Sequence, residues 1–297
     1  MAEAVKDSNV VLSIEDLVKK TGDLEMMPQV ARKVIEMVSD VNADAGQLAD
    51  VIEKDANITA RILKIANSAF YGLRREVKTV QQAIVILGFK SLRSMVVAAS
   101  SKALHKRFGI TEQLMWDHSI GTAITAKMLA SSFPATVGDL AFVGGLLHNV
   151  GKSVMNNECP QAYAEVMKLV YNDNQHPLDA EIQIFKYGHP EVGSKITEKW
   201  GLPVELGKII RYYLLTSLTD SDKESLSFDK NLQASLACVE LASQMCRSLG
   251  IGFREKNPNL ELQSLESFRI LKADTNMLDH WMKKGEESFK KERAIFN

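Results

Sequence analysis

Histidine is the residue type in this chain whose chemistry is easiest to place. Six are present: His105, His118, His148, His176, His189 and His280. His148 stands in the run Gly144-Gly145-Leu146-Leu147-His148-Asn149-Val150-Gly151-Lys152. A histidine with an adjacent carboxylate at a helix end can give two ligands to one divalent metal. The metal then polarises a phosphate and lowers the pKa of a bound water. Here the second residue is Asn149, a neutral and weak ligand, so the negative charge that attracts a hard cation is missing. Lys152 reads equally well as a cation favoured by the dipole at a helix C-terminus. His105 and His176 sit in polar, loop-like settings and His280 on a polar terminal helix, so all three are expected at the surface. The cysteines, Cys159, Cys238 and Cys246, are odd in number and have no zinc spacing, which suits a reducing cytosol.

These side chains have to be held by helices. The 297 residues are 45% hydrophobic and 25% charged, with net charge −1, which is the profile of a globular chain of one large or two moderate domains. No stretch approaches the ~18 uninterrupted apolar residues of a membrane span. Glu3, Lys6, Asp7, Glu15, Asp16, Lys19 and Lys20 leave no apolar segment for a secretory leader, so a cytoplasmic protein without membrane contact is expected.

The hydrophobic period is 3.6 almost throughout, which predicts an all-α fold. Pro28 precedes the stripe Val30, Val34, Met37 and Val38, and Asp44 with Gln47 forms a capping-box pattern before Leu48, Val51 and Ile52. Ile58, Ile62, Leu63 and Ala66 give a third helix that stops at Asn67-Ser68-Ala69-Phe70-Tyr71-Gly72. Asn67, Ser68 and Tyr71 are expected to fix this turn. Thr79 with Gln82 repeats the capping pattern, and a further helix follows Gly88. Beyond it, helices are predicted over Leu114–Ser131, Asp139–Asn149, Gln161–Asn172, Leu178–Lys186, Pro190–Trp200, Val204–Leu215, Leu232–Leu249 and Thr275–Arg293. Asp139 is expected to cap the second of these, and Thr219–Asp229 reads as a loop.

Net charge near zero hides a block structure. Residues 1–55 sum to −6, residues 56–107 to +9 and residues 108–297 to −4. The basic block reads either as solvated helix faces or as an anion-binding surface, with Arg61, Lys64, Arg74, Arg75 and Lys78 as candidates. The helices over 44–53 and 57–67 also have a helix-turn-helix outline, which keeps a nucleic-acid partner open.

Leu146-Leu147-His148-Asn149-Val150-Gly151-Lys152 resembles the His-Asp core of the HD metal-dependent phosphohydrolase superfamily. Leu63-Lys64-Ile65-Ala66-Asn67-Ser68-Ala69-Phe70-Tyr71-Gly72, Ala83-Ile84-Val85-Ile86-Leu87-Gly88-Phe89, and Trp116-Asp117-His118-Ser119 resemble its signalling branch, the HDOD (HD-related output) domain. So do Gly188-His189-Pro190-Glu191-Val192-Gly193 and Trp200-Gly201-Leu202-Pro203, and the likeness runs over roughly residues 24–215. The resemblance implies an N-terminal extension (1–23), an N-terminal helical subdomain (24–107), an HD-like helical bundle (108–253) and a helical tail (254–297). It matches His118 and His148 to metal-ligand histidines, and His189 to a further one. It also matches Lys152 to the lysine that accompanies the pair in active relatives. Asn149 replaces the bridging aspartate, Ser243 stands near the last ligand aspartate, and Arg211-Tyr212-Tyr213-Leu214 replaces later histidines. Glu240, one turn before Ser243, would point from a different level of the helix.

The implied pocket of His118, His148, Asn149, Lys152 and His189 is therefore degenerate. The expectation is a satisfied polar core in which imidazoles and Asn149 bond one another, with no cofactor and no catalytic residue. The resemblance implies a stand-alone bacterial signalling protein that acts by binding a signalling protein or an anionic second messenger. Two alternatives stand beside it. One is a divergent phosphohydrolase acting on a nucleotide or cyclic dinucleotide, with a single divalent transition metal on His118, His148 and His189. The other is a nucleic-acid-binding regulator using the basic block.

Overall fold

A computed structural model describes residues 11–21, 29–38, 44–67, 76–100, 109–226 and 229–296. Among them the architecture is all-α, with no strand. The first five helices are α1 (Ile14–Thr21), α2 (Gln29–Val38), α3 (Ala45–Glu53), α4 (Ala56–Ala66) and α5 (Val80–Ser100). The centre is built from α6 (Ile110–Leu129), α7 (Ala135–Leu147), α8 (Val150–Glu158), α9 (Pro160–Asn172), α10 (Pro177–Phe185), α11 (His189–Lys199) and α12 (Val204–Tyr212). Then come α13 (Asp220–Leu226), α14 (Lys230–Leu249), α15 (Glu266–Ile270) and α16 (Thr275–Phe296). No described helix is long and apolar enough to cross a membrane.

Local chemistry explains most of the boundaries. Asp55 caps α4 through the backbone N–H groups of Asn57 and Ile58, at 3.0 and 3.1 Å. Asn67 closes the same helix, with Nδ2 donating to Leu63 O and Val77 O and Oδ1 accepting from Val77 N at 2.7 Å. One amide thus ties the two ends of the segment 68–75, in the turn-fixing role expected of it; Ser68 and Tyr71 lie outside the described residues. Before α5, Thr79 Oγ1 accepts from Gln82 N while the Gln82 side chain accepts from Lys78 N. The backbone breaks at Gly88, with φ 77°. Three local expectations fail. Asp44 precedes α3 without a side-chain cap bond. Helix α7 starts at Ala135 behind Pro134, so Asp139 lies one turn inside and pairs with Lys127 Nζ at 2.5 Å instead of capping. The polar stretch Thr219–Asp229 contains α13, because Thr219 Oγ1 accepts from Asp222 N as a cap.

Helix α6 lies at the middle, packed on α7, α14 and α16. One apolar cluster runs without a break from Leu17 in α1 through Ile62 and Val96 to Phe142, Trp200 and Ile210. A second surrounds α14, from Leu129 and Ala141 to Leu236, Val239 and Met245. Helix α14 is buried on almost every side, which is why polar residues on it, including Ser243 and Arg247, face protein interior.

Candidate functional site

His118 lies on α6 among buried residues and is itself 5% exposed. The α7–α8 junction delivers His148 and Asn149 against it, both buried. Two glycines permit this closeness. A Cβ on Gly151 would stand 2.0 Å from the carbonyl oxygen of His189, so only glycine lets α8 approach α11. Gly252 adopts φ +78°, and a Cβ there would meet His118 Cβ at 2.4 Å.

Hydrogen-bond logic fixes the tautomers. His118 Nε2 lies 3.2 Å from the carbonyl oxygen of Ser243 and must donate. Its Nδ1 is then a lone pair, which accepts from Asn149 Nδ2 at 3.0 Å. Asn149 Oδ1 is left buried without a donor. His148 Nδ1 donates to Gly145 O at 2.6 Å, which leaves His148 Nε2 as a second buried acceptor without a partner. The rings of His118 and His148 meet edge to face with centroids 5.0 Å apart, and Tyr213 packs on His148 at 5.0 Å. Contrary to expectation, the imidazoles do not hydrogen-bond one another. Asn149 bonds His118 alone among them, and each ring finds its other partners elsewhere.

His189 belongs to a separate chain of bonds. Its backbone N and Nδ1 both donate to Glu181 Oε2, at 2.8 and 2.6 Å, and Tyr163 OH donates to Glu181 Oε1 at 3.1 Å. With Nδ1 protonated, His189 Nε2 accepts from Tyr213 OH at 2.7 Å. Burial would raise the Glu181 carboxyl, but the His189 imidazole and the Lys152 charge bring it below the ordinary range. Burial pushes His189 down despite Glu181, so the pair is a carboxylate bonded to a neutral imidazole. Both ring nitrogens of His189 are thereby committed. Glu240 faces away, accepting from Thr216 N at 2.7 Å and Ser267 N at 3.1 Å, and so pins α15.

Two adjoining cavities open beside these groups, of about 30 Å³ and about 10 Å³. Both are lined by His118, Lys152, Pro177 and Phe253. The first adds Asn149 and Tyr163, and the second adds His176, His189, Tyr213, Ser243 and Arg247. Among the described residues no carboxylate lines either cavity. Burial lowers Lys152 to about 8, so it is still charged at neutral pH. Burial, then the Lys152 charge, lowers His118 to about 3, and burial holds His148 well below its ordinary value. His176, expected at the surface, is half-buried. It caps α10 by accepting from Leu178 N at 3.3 Å, lines the second cavity, and is lowered to about 3 by burial and by Arg247.

A divalent metal, which the family resemblance implies, does not fit this donor set. Among the described histidine and asparagine atoms of this site, His148 Nε2 and Asn149 Oδ1 are buried without partners. Asn149 and Ser243 are neutral, and Lys152 and Arg247 bring positive charge to the cavities, which does not attract a hard cation. Among the described residues no group of three or more His, Cys, Asp or Glu is placed to hold a metal.

The structure brings His118, His148 and Asn149 into direct contact, with Lys152 and His189 around the same cavities. It does not bring in the basic candidates. Lys64 and Lys78 are exposed and Arg61 half-buried, none lines these cavities, and Arg74 and Arg75 lie outside the described residues. Sequence reasoning missed Arg247, Glu181 and Phe253. The findable signal was Arg247, four residues after Ser243 and so on the same face of the helix.

The HDOD domain family profile matches residues 24–216. An HDOD domain protein of unknown function from Geobacter sulfurreducens shares the fold with TM-score 0.69, at 23% identity over 95% of each chain. A candidate phosphohydrolase of Shewanella amazonensis gives TM-score 0.66 at 20% identity, over 95% of this chain and 98% of its own. An uncharacterized protein of Treponema pallidum is 23% identical over 195 residues, which are 64% of this chain. The match spans only 38% of that relative's length. With the profile covering most of the chain and the fold shared end to end, this protein belongs to the HDOD domain family.

Proposed function

We propose that this HDOD protein is a signalling and regulatory module that works by binding, and that its HD-like centre does not hydrolyse phosphate esters. One observation carries the reading: both central cavities are lined by cations and neutral donors and, among the described residues, by no carboxylate. Hydrolysis in the superfamily manner needs a metal-activated water, and carboxylate ligands favour the hard cations that supply it. Asn149 and Ser243 supply none, and both nitrogens of His189 are engaged by Glu181 and Tyr213. The small volume of the cavities also disfavours a whole cyclic dinucleotide as occupant. What remains is a site with fixed tautomers and net positive charge, suited to recognising an anionic group carried by a messenger or a partner protein.

The test is hydrolysis of p-nitrophenyl phosphate and bis(p-nitrophenyl) phosphate with added Mn²⁺, Fe²⁺ or Mg²⁺. The expected result is no turnover above the metal-only blank. Metal-dependent turnover that disappears in His118→Ala would overturn the proposal in favour of a divergent phosphohydrolase.

A further inference from the structure

Lys152 and Arg247 are both nearly buried, at 7% and 8% exposure, and both line the second cavity. Neither has an ion pair or hydrogen bond among the described residues. Arg247 has only the face of Phe253, 5.9 Å from its guanidinium carbon. Glu181 acts on Lys152 but is committed to His189 and Tyr163, and Asp179, which acts on Arg247, is exposed. Two like charges held close together in a buried cleft repel, and each lowers the pKa of its neighbours. Buried charge without a partner is costly, and an anion between the two cations would offset that cost.

An independent observation sharpens the ligand's chemistry. Asn149 lines the first cavity, and its Oδ1 is buried with no donor among the described residues. Its orientation is not free to change, because Nδ2 must donate to His118 Nδ1. Tyr213, which lines the second cavity, likewise gives its hydroxyl proton to His189 and keeps only lone pairs for other partners. Around the two adjoining cavities there are thus two cations, Lys152 and Arg247, and acceptors without a donor of their own. A carboxylate meets the cations but brings no O–H. A protonated tetrahedral oxyanion meets both requirements.

We propose that the cleft between α6, α8, α10 and α14 binds hydrogen phosphate, or the terminal phosphate of a monoester. Lys152 and Arg247 hold its oxygens and Asn149 Oδ1 accepts its proton. The cations take over the charge-neutralising part that a metal would otherwise play. The proposal rests on the reading of the centre as a binding site.

The experiment is calorimetric titration of the full chain with inorganic phosphate, with 5′-GMP and with sulfate, repeated on Lys152→Met and Arg247→Met. Saturable phosphate binding is expected, at least tenfold weaker in either variant. Sulfate, which carries no proton at neutral pH, is expected to bind at least tenfold more weakly than phosphate. Saturable 5′-GMP binding would mark the source as an organic monoester with its remainder outside the cleft; binding of phosphate alone would mark the free ion. Each methionine variant should melt in phosphate-free buffer no lower than the parent, so that lost binding is not lost folding. Absence of saturable binding by either phosphate source, unchanged affinity in both variants, or equal affinity for sulfate would overturn the assignment. Loss of this assignment with no metal-dependent turnover leaves the signalling reading standing; turnover sinks that reading whatever phosphate does.

Discussion

Asn149 places a neutral amide beside two buried imidazoles, and the consequence spreads through three side chains. Its Nδ2 fills the lone pair on His118 Nδ1. His118 Nε2 in turn is spent on the Ser243 carbonyl. Around His189 the polarity of every bond is set by Glu181: the carboxylate forces Nδ1 to donate, so Nε2 must accept, and Tyr213 is its donor. This gives a prediction at the level of one atom. Tyr213→Phe removes the only donor to a fully buried imidazole nitrogen while keeping the ring that packs on His148. The expected cost is about 1–3 kcal/mol of stability, the penalty for one unsatisfied buried polar group. Urea denaturation checks it; a loss below about 0.5 kcal/mol, the level of ordinary surface changes, would show that the chain from Glu181 to Tyr213 is not what orders His189.

The helices that hold these residues were mostly legible in the sequence, because a 3.6-residue apolar period and local caps act over one or two turns. Asp55, Asn67 with its reach to Val77, and the break at Gly88 are all local effects, and each follows from its residue type. The misses are where tertiary partners decide. Asp139 has a capping side chain, but Pro134 starts the helix a turn earlier and Lys127 takes the carboxylate. His176 looks polar and loop-like along the chain, yet α6 and α14 close over it from far away in sequence. The pocket was legible only as far as the family motif reaches: His118, His148, Asn149 and Lys152 could be matched, whereas Arg247 and Glu181 needed helix packing to bring them in. Packing at element level also makes a prediction. In Gly151→Ala the new methyl would collide with the His189 backbone, which cannot swing aside as a flexible side chain would. Separating α8 from α11 is expected to cost about 3 kcal/mol, the upper end for overpacking. A denaturation midpoint equal to the parent's would contradict the close approach of these helices.

Over the whole molecule, net charge −1 is a poor guide to function, since the basic segment 56–107 and its acidic neighbours cancel. A better guide is where charge meets burial. Acidic residues are abundant in the chain, yet among the described residues none lines the central cavities, while two cations do. The long α16 crosses to this region as well, and Arg293 grips Asp117 beside His118 through paired bonds of 2.8 and 2.6 Å. The apolar core joining the first helices to the centre is continuous, so a ligand in the cleft sits where α6, α8, α10 and α14 meet and can bias how they pack. That is a sensible place for a regulator to be read, and a poor one for a metal enzyme without carboxylates. The most direct measurement is the transition-metal content of the chain purified without chelators, compared with that of His148→Ala. The account predicts well under one equivalent of manganese, iron or zinc per chain, unchanged by the substitution; a full equivalent that is lost in His148→Ala would contradict it.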